Sequence, residues 1–196
     1  MGADDAELLD RLRAGDEEAF AELVGRYQAR LVGLARQFVA GPQAAEDVVQ
    51  DTWLALVRGV ARFEGRSELR TWLFQICVNR ARSHGVRERR LVPVGSGEPA
   101  VNPDRFDANG GWAAPLAHWA DAVDDRLEAA AVVDHVRAAI DRLPHPQQLV
   151  VTLRDVEGLT AKEVCAVLSI SEANQRVLLH RGRSTVRRAL AEVLDP

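Results

Sequence analysis

Apolar residues recur at intervals of three and four through most of the chain, the period of helices that bury one side. The pattern predicts a short helix from Ala6 to Arg13, ended by Gly15. Asp16 is then placed to cap a long helix running to about Val39, with Phe20, Leu23, Val24, Tyr27, Leu31, Leu34 and Phe38 on its inner face. Gly41-Pro42 breaks the pattern, and a helix over about 43–61 turns Val48, Val49, Trp53, Leu56 and Val60 inward. Ser67 is a cap for a fourth helix with Leu69, Trp72, Leu73, Ile76 and Cys77 as its inner stripe. These four helices predict one small bundle over 1–90.

The period is lost over residues 91–126, which are rich in Pro, Gly, Asn and Asp. This composition predicts a flexible linker, within which Trp112 and Trp119 are unusual and suggest a docked part. A coil of this length averages roughly 30–35 Å end to end. Helical periodicity resumes at Leu127 and runs to about Leu143; Pro144-His145-Pro146 then opens a helix through Leu153. Thr160 and Glu163 fit a capping box for a helix ending at Leu168, Ser169-Ile170-Ser171 makes a turn, and Ser171 caps a helix to about Leu194. On that last helix Leu179, Gly182, Val186 and Leu190 share one face. A short helix, a tight turn and a longer basic helix are the pattern of a helix-turn-helix. No stretch reads as a strand. The expected fold is all-α: two small helical domains, 1–90 and 127–196, joined by the linker.

Charge adds a second layer. The 196-residue chain is net −4, yet residues 58–90 carry nine Arg against Glu64, Glu68 and Glu88. Residues 1–57 instead carry eleven acids against five Arg, and residues 171–194 hold five Arg against Glu172 and Glu192. Acidic and basic faces on neighbouring helices point to two partners, one a protein surface and one a polyanion. No run is long enough to cross a membrane, and the N-terminus has neither the basic start nor the apolar core of a signal peptide. Cys77 and Cys165 lie far apart and form no metal-ligand pattern, which fits a reducing, cytoplasmic setting. Both are expected to pack in cores. His84, His118, His135, His145 and His180 are scattered and suggest neither a metal site nor a catalytic base.

Three stretches together resemble a bacterial sigma factor of the extracytoplasmic-function (ECF) type: EDVVQDTWLAL (46–56), RFEGRSELRTWLFQICVNRARS (62–83) and the helix-turn-helix region 143–190. The resemblance implies an initiation factor without catalysis or cofactor of its own. Its partners would be core RNA polymerase (the clamp helices of the largest subunit and the flap of the second-largest), promoter DNA and an anti-sigma factor able to hold it at the membrane. Asp47, Gln50, Asp51 and Leu54 would face the clamp helices. Phe63, Gly65, Ser67 and Asn79 would surround a flipped base of the downstream (−10) element, with Arg62, Arg66, Arg80 and Arg82 on phosphates. At the upstream (−35) element Ser171, at the start of the recognition helix, would be one of the DNA-binding residues. Glu172, Asn174, Arg176, Val177 and His180 would meet base edges, and Arg181, Arg183 and Arg187 phosphates.

Recognition helices of this family often read T-V-R-S-R where this chain has Asn174-Gln175-Arg176-Val177-Leu178, so only Arg176 is kept. Gln175 also stands where an apolar inward residue is usual. Two other readings remain open at this level. A stand-alone helix-turn-helix regulator would dimerise on palindromic half-sites. A metal enzyme would use Glu46, Asp47 and Asp51, but no further ligand completes that set.

Overall fold

The computed structural model describes residues 3–89 and 126–194, which contain eight α-helices and no strand. The expected linker, with Trp112 and Trp119, lies outside them, as do the side chains of Arg87, Arg89 and Arg90. The N-terminal unit comprises α1 (Ala3–Arg13), α2 (Glu17–Ala35), α3 (Pro42–Gly59) and α4 (Leu69–Arg89). A 3-10 turn, Val60–Arg62, continues α3. The C-terminal unit comprises α5 (Arg126–Asp141), α6 (His145–Val151), α7 (Ala161–Leu168) and α8 (Glu172–Leu194). None of these helices is long and apolar enough to cross a membrane.

Local signals act where the sequence puts them. The Asp16 carboxylate accepts from the backbone N–H groups of Glu18 and Ala19, while Arg11 Nε donates to it at 2.7 Å. Thr160 and Glu163 close the capping box reciprocally, and Ser171 Oγ accepts from Asn174 N at 3.2 Å. The turn between α7 and α8 needs a left-handed residue, and Ser169 supplies it at φ 58°.

Two expected boundaries differ. The second helix stops at Ala35 rather than near Val39, because Gln37 and Phe38 close tight turns back to Leu34 and Ala35. The helix expected to reach Leu153 changes after Val151 into a π turn, Thr152–Val156, whose wider spiral appears in the bond from Glu157 N to Thr152 O (2.8 Å).

Leu23, Leu31, Leu34, Val48, Val49, Leu56, Leu69, Leu73 and Phe74 fill the N-terminal core almost without exposure. Cys77 lies among them, and burial pushes its thiol up to about 12 despite a hydrogen bond with Thr52. That core continues into the C-terminal unit through Leu149, Val150, Leu153, Leu159, Val164, Val167 and Leu168. A second cluster joins α5, α6 and α8 through Ile140, Leu143, Val151, Val186 and Leu190. Gly182 permits this crossing, since a Cβ there would stand 2.5 Å from Val151 Cγ2. The two helical units therefore pack against each other along one continuous seam.

Candidate nucleic-acid interface

Three surfaces carry the residues singled out in the sequence. The first is the outer side of α3. Its inner positions Val48, Val49, Thr52, Trp53 and Leu56 are buried, which leaves Asp47, Gln50 and Leu54 exposed and Asp51 half-buried. Leu54 is 53% exposed and Val57 55%, so an apolar spot sits beside an acidic rim. An apolar spot with a polar rim is the kind of surface that can seat against another protein. Asp51 also meets His84 of α4 at 3.0 Å, which ties this face to the next helix.

The second surface is a cleft of about 410 Å³ where α3 meets α4, lined by Arg62, Phe63, Arg66, Ser67, Trp72 and Gln75, with Gly59 and Glu64 completing it. It brings together four of the eight residues expected at the downstream element. Gly65 stands in the same loop at φ 69°, where glycine is favoured. Asn79 and Arg80 are exposed farther along α4, outside the cleft.

Phe63 and Trp72 stack with centroids 4.6 Å apart and 27° between planes. Phe63 is itself buried, and Arg13 Nη2 fixes its carbonyl at 2.5 Å, so its ring is part of the cleft floor. Trp72, expected only in the core, is half-buried and shares that floor. Gly59 makes room for it, since a Cβ there would approach Trp72 Cζ2 to 3.1 Å. A flat aromatic floor with guanidinium groups at its rim can stack an unpaired base while holding its backbone. Arg62 is exposed, and Arg66 pairs with Glu64 at the surface.

The third surface is the outer side of α8. Leu179, Gly182, Val186 and Leu190 pack inward, and Gln175 continues that stripe at 1% exposure. Ser171, Glu172, Asn174, Arg176 and Val177 are exposed, and His180 and Arg181 half-buried. Arg187 is exposed as well. Arg183 is engaged within the unit: its Nε and Nη2 make a paired contact with Asp155 at 2.9 and 2.6 Å. Cys165 is only partly buried, and burial with the nearby Glu172 charge raises its pKa, so it is a poor nucleophile.

Arg82 takes a place the sequence did not suggest. Its Nη2 donates to the Leu168 carbonyl at 2.8 Å, across the seam. Further seam contacts join Thr71 to Glu163, Arg30 to Glu157 and Gln37 to Thr152. Partners so far apart in sequence leave no local signal, and none was expected.

Against known proteins, residues 23–91 match the family Sigma-70 region 2 and residues 134–191 match Sigma-70, region 4. The chain is 30% identical over 190 residues to the RNA polymerase sigma-H factor of Pseudomonas aeruginosa, covering 97% of this chain and 95% of that one. It is 28% identical over 182 residues to the ECF RNA polymerase sigma-E factor of Escherichia coli, covering 93% and 92%. Two solved structures share its fold at a TM-score of 0.59. One is CnrH in complex with the cytosolic domain of CnrY, at 24% identity over 96% of this chain and 97% of that one. The other is the sigma factor RpoE in complex with the anti-sigma factor NepR from Bartonella quintana, at 20% identity over 87% and 96%.

Proposed function

The chain belongs to the ECF-type sigma-70 factors, and from that premise we propose that it binds core RNA polymerase and directs it to specific promoters. It has no catalytic activity of its own and acts in the cytoplasm. The observation that carries this reading is the Phe63–Trp72 floor rimmed by Arg62 and Arg66, paired in one chain with a separate helix-turn-helix unit. Residues 1–90 would bind the clamp helices through Asp47, Gln50, Asp51 and Leu54. They would hold the melted −10 strand in the cleft, with Asn79, Arg80 and Arg82 farther along its path. Residues 127–196 would read the −35 duplex through Glu172, Asn174, Arg176, Val177 and His180, with Arg181 and Arg187 on phosphates. The C-terminal unit would also meet the polymerase flap.

Strand opening needs no chemistry. A cleft that binds an unpaired base and cannot bind a paired one shifts the duplex toward the open state by its differential affinity. The relative solved with an anti-sigma factor supports similar control here, by a partner that covers these surfaces. Run-off transcription with purified core polymerase on a library of promoter fragments tests the reading. New start sites that depend on this chain support it. Absence of both core binding and new starts would leave a stand-alone helix-turn-helix regulator.

A further inference from the structure

The seam between the two units covers part of the surface that the proposed function needs. On α4, Thr71, Gln75 and Arg82 follow one another at helical spacing along a single stripe. Each is bonded to the C-terminal unit. Thr71 Oγ1 donates to Glu163, Gln75 Nε2 to the Ala166 carbonyl at 3.5 Å, and Arg82 Nη2 to the Leu168 carbonyl at 2.8 Å. Helix α7 therefore lies along the strip of α4 that leads from the cleft, where Gln75 is a wall residue, to Arg82.

Geometry adds an independent constraint. Arg82, a candidate for the downstream element, and Asn174, a candidate for the upstream one, line the same cavity of about 520 Å³. Two elements more than a helical turn of DNA (~34 Å) apart cannot both be reached by residues that share one small cavity. The packed arrangement is therefore not the promoter-bound one.

The charges in the seam meet at Glu157. This carboxylate is 7% exposed, accepts from Arg30 Nε at 2.5 Å, and has its backbone carbonyl approached by Arg30 Nη2 at 3.3 Å and Arg70 Nη1 at 3.4 Å. Arg30 is held in turn over the rings of Tyr27 and Phe74. The π turn presents Glu157 here, just beyond Thr152, which itself accepts from Gln37. Closing the units takes this carboxylate out of water, and the Arg30 guanidinium from the other unit offsets that desolvation. Removing one member of the pair would leave a buried charge uncompensated in the closed state, which then favours the open one.

We infer that Glu157, clamped by Arg30 and Arg70, latches the chain in a self-masked state in which α7 occupies the DNA-facing strip of α4. Opening of this latch precedes promoter binding. The inference rests on the sigma-factor reading for what is masked, but not for the latch itself.

Two measurements on the full chain separate these parts. Small-angle X-ray scattering reads the closure: a compact chain of this length has a radius of gyration of about 16 Å, and parted units exceed about 20 Å. Fluorescence anisotropy with a labelled, random-sequence single-stranded 12-mer reads the masking. Arg30→Glu and Glu157→Arg, each alone, should open the chain and tighten single-strand binding roughly tenfold, as expected if about a tenth of the wild type is open. The double swap should restore compaction and the weaker binding. If Glu157→Arg disturbs its own unit, Arg30→Glu carries the test from the opposite side of the seam. An extended wild type, single variants that stay compact, or opening without tighter binding would each overturn the inference. Failure of every variant to bind single strands would overturn masking and count against the function as well, while run-off transcription judges that function separately.

Discussion

Replacing Gln175 with leucine should stabilise the protein. Gln175 is 1% exposed on the inner stripe of α8, and its side-chain nitrogen has no hydrogen-bond partner. A buried donor left unmet costs about 1–3 kcal/mol. Leucine fills a similar volume without that donor, and ordering it costs up to ~1 kcal/mol less side-chain entropy than ordering glutamine. The net expectation is about 2 kcal/mol of added stability. The gain falls on the C-terminal unit, which carries α8. For a cooperative unit of that size, it raises the Tm of its transition by ~8–16 °C. Thermal melts and urea titrations should agree, with an unchanged m-value. The outer face of α8 stays as it was, so duplex specificity should not change. An unchanged or lower Tm would show that the amide has a partner or that its shape is needed there, and would refute the reasoning.

Three further outcomes follow from the geometry. Leu54→Asp should weaken core polymerase binding about thirtyfold (~2 kcal/mol, the loss of a central contact) with the same melting curve, because Leu54 is already exposed. Equal affinity in a titration of labelled protein with core enzyme would remove α3 from that interface. Arg183→Ala should cost at most about 1 kcal/mol of stability, since its pair with Asp155 is partly screened by solvent. It should also leave the salt dependence of duplex binding unchanged. A slope reduced by about one would make Arg183 a phosphate contact after all. Finally, burial pushes the Glu163 carboxyl up, but hydrogen bonds from Thr71 and Thr160 and the charge of Arg70 outweigh it and hold it below its ordinary value of 4.5. A depressed carboxylate contributes fully above its unfolded pKa and loses that contribution as pH falls through the folded one. The advantage of wild type over Glu163→Gln in thermal melts should therefore be constant at neutral pH and shrink below 4.5. An advantage that persists in strong acid would mean that Glu163 acts through its shape alone.

Much of the fold was legible because its signals are local. The apolar stripe of α3, the Asp16 cap, the Thr160–Glu163 box and the three-residue turn after Leu168 each depend on residues within a few positions of one another. The π turn was not legible. The sequence reads as a helix ending at Leu153, whereas the π turn begins at Thr152 and runs to Val156, where the chain swings to bring Arg154 to the Leu159 carbonyl and Asp155 to Arg183. Nothing in that pentapeptide announces a wider spiral. Trp72 shows a milder version of the same limit. Its place on the apolar stripe predicted burial, but only the opposing Gly59 and Phe63 make it half-exposed at the floor of a cleft.

The candidate site divides along the same line. Residues chosen for the cleft lie within a few positions of each other in one loop, so sequence adjacency brought Arg62, Phe63, Arg66 and Ser67 together. The choice of Arg82 rested on the same basic face, yet its guanidinium donates to Leu168, 86 positions away. Arg30 and Glu157 are separated by 127. A charge on a helix surface has the same local pattern whether it will meet solvent, a phosphate or a distant acid. What distinguishes them is burial, and burial depends on which helix arrives from elsewhere in the chain. Of the basic residues considered, Arg62, Arg66, Arg80, Arg176 and Arg187 are exposed. Arg30 and Arg82 are held across the seam, and Arg183 within its own unit. The charge available to a nucleic acid is therefore set by the state of the seam, not only by the number of arginines.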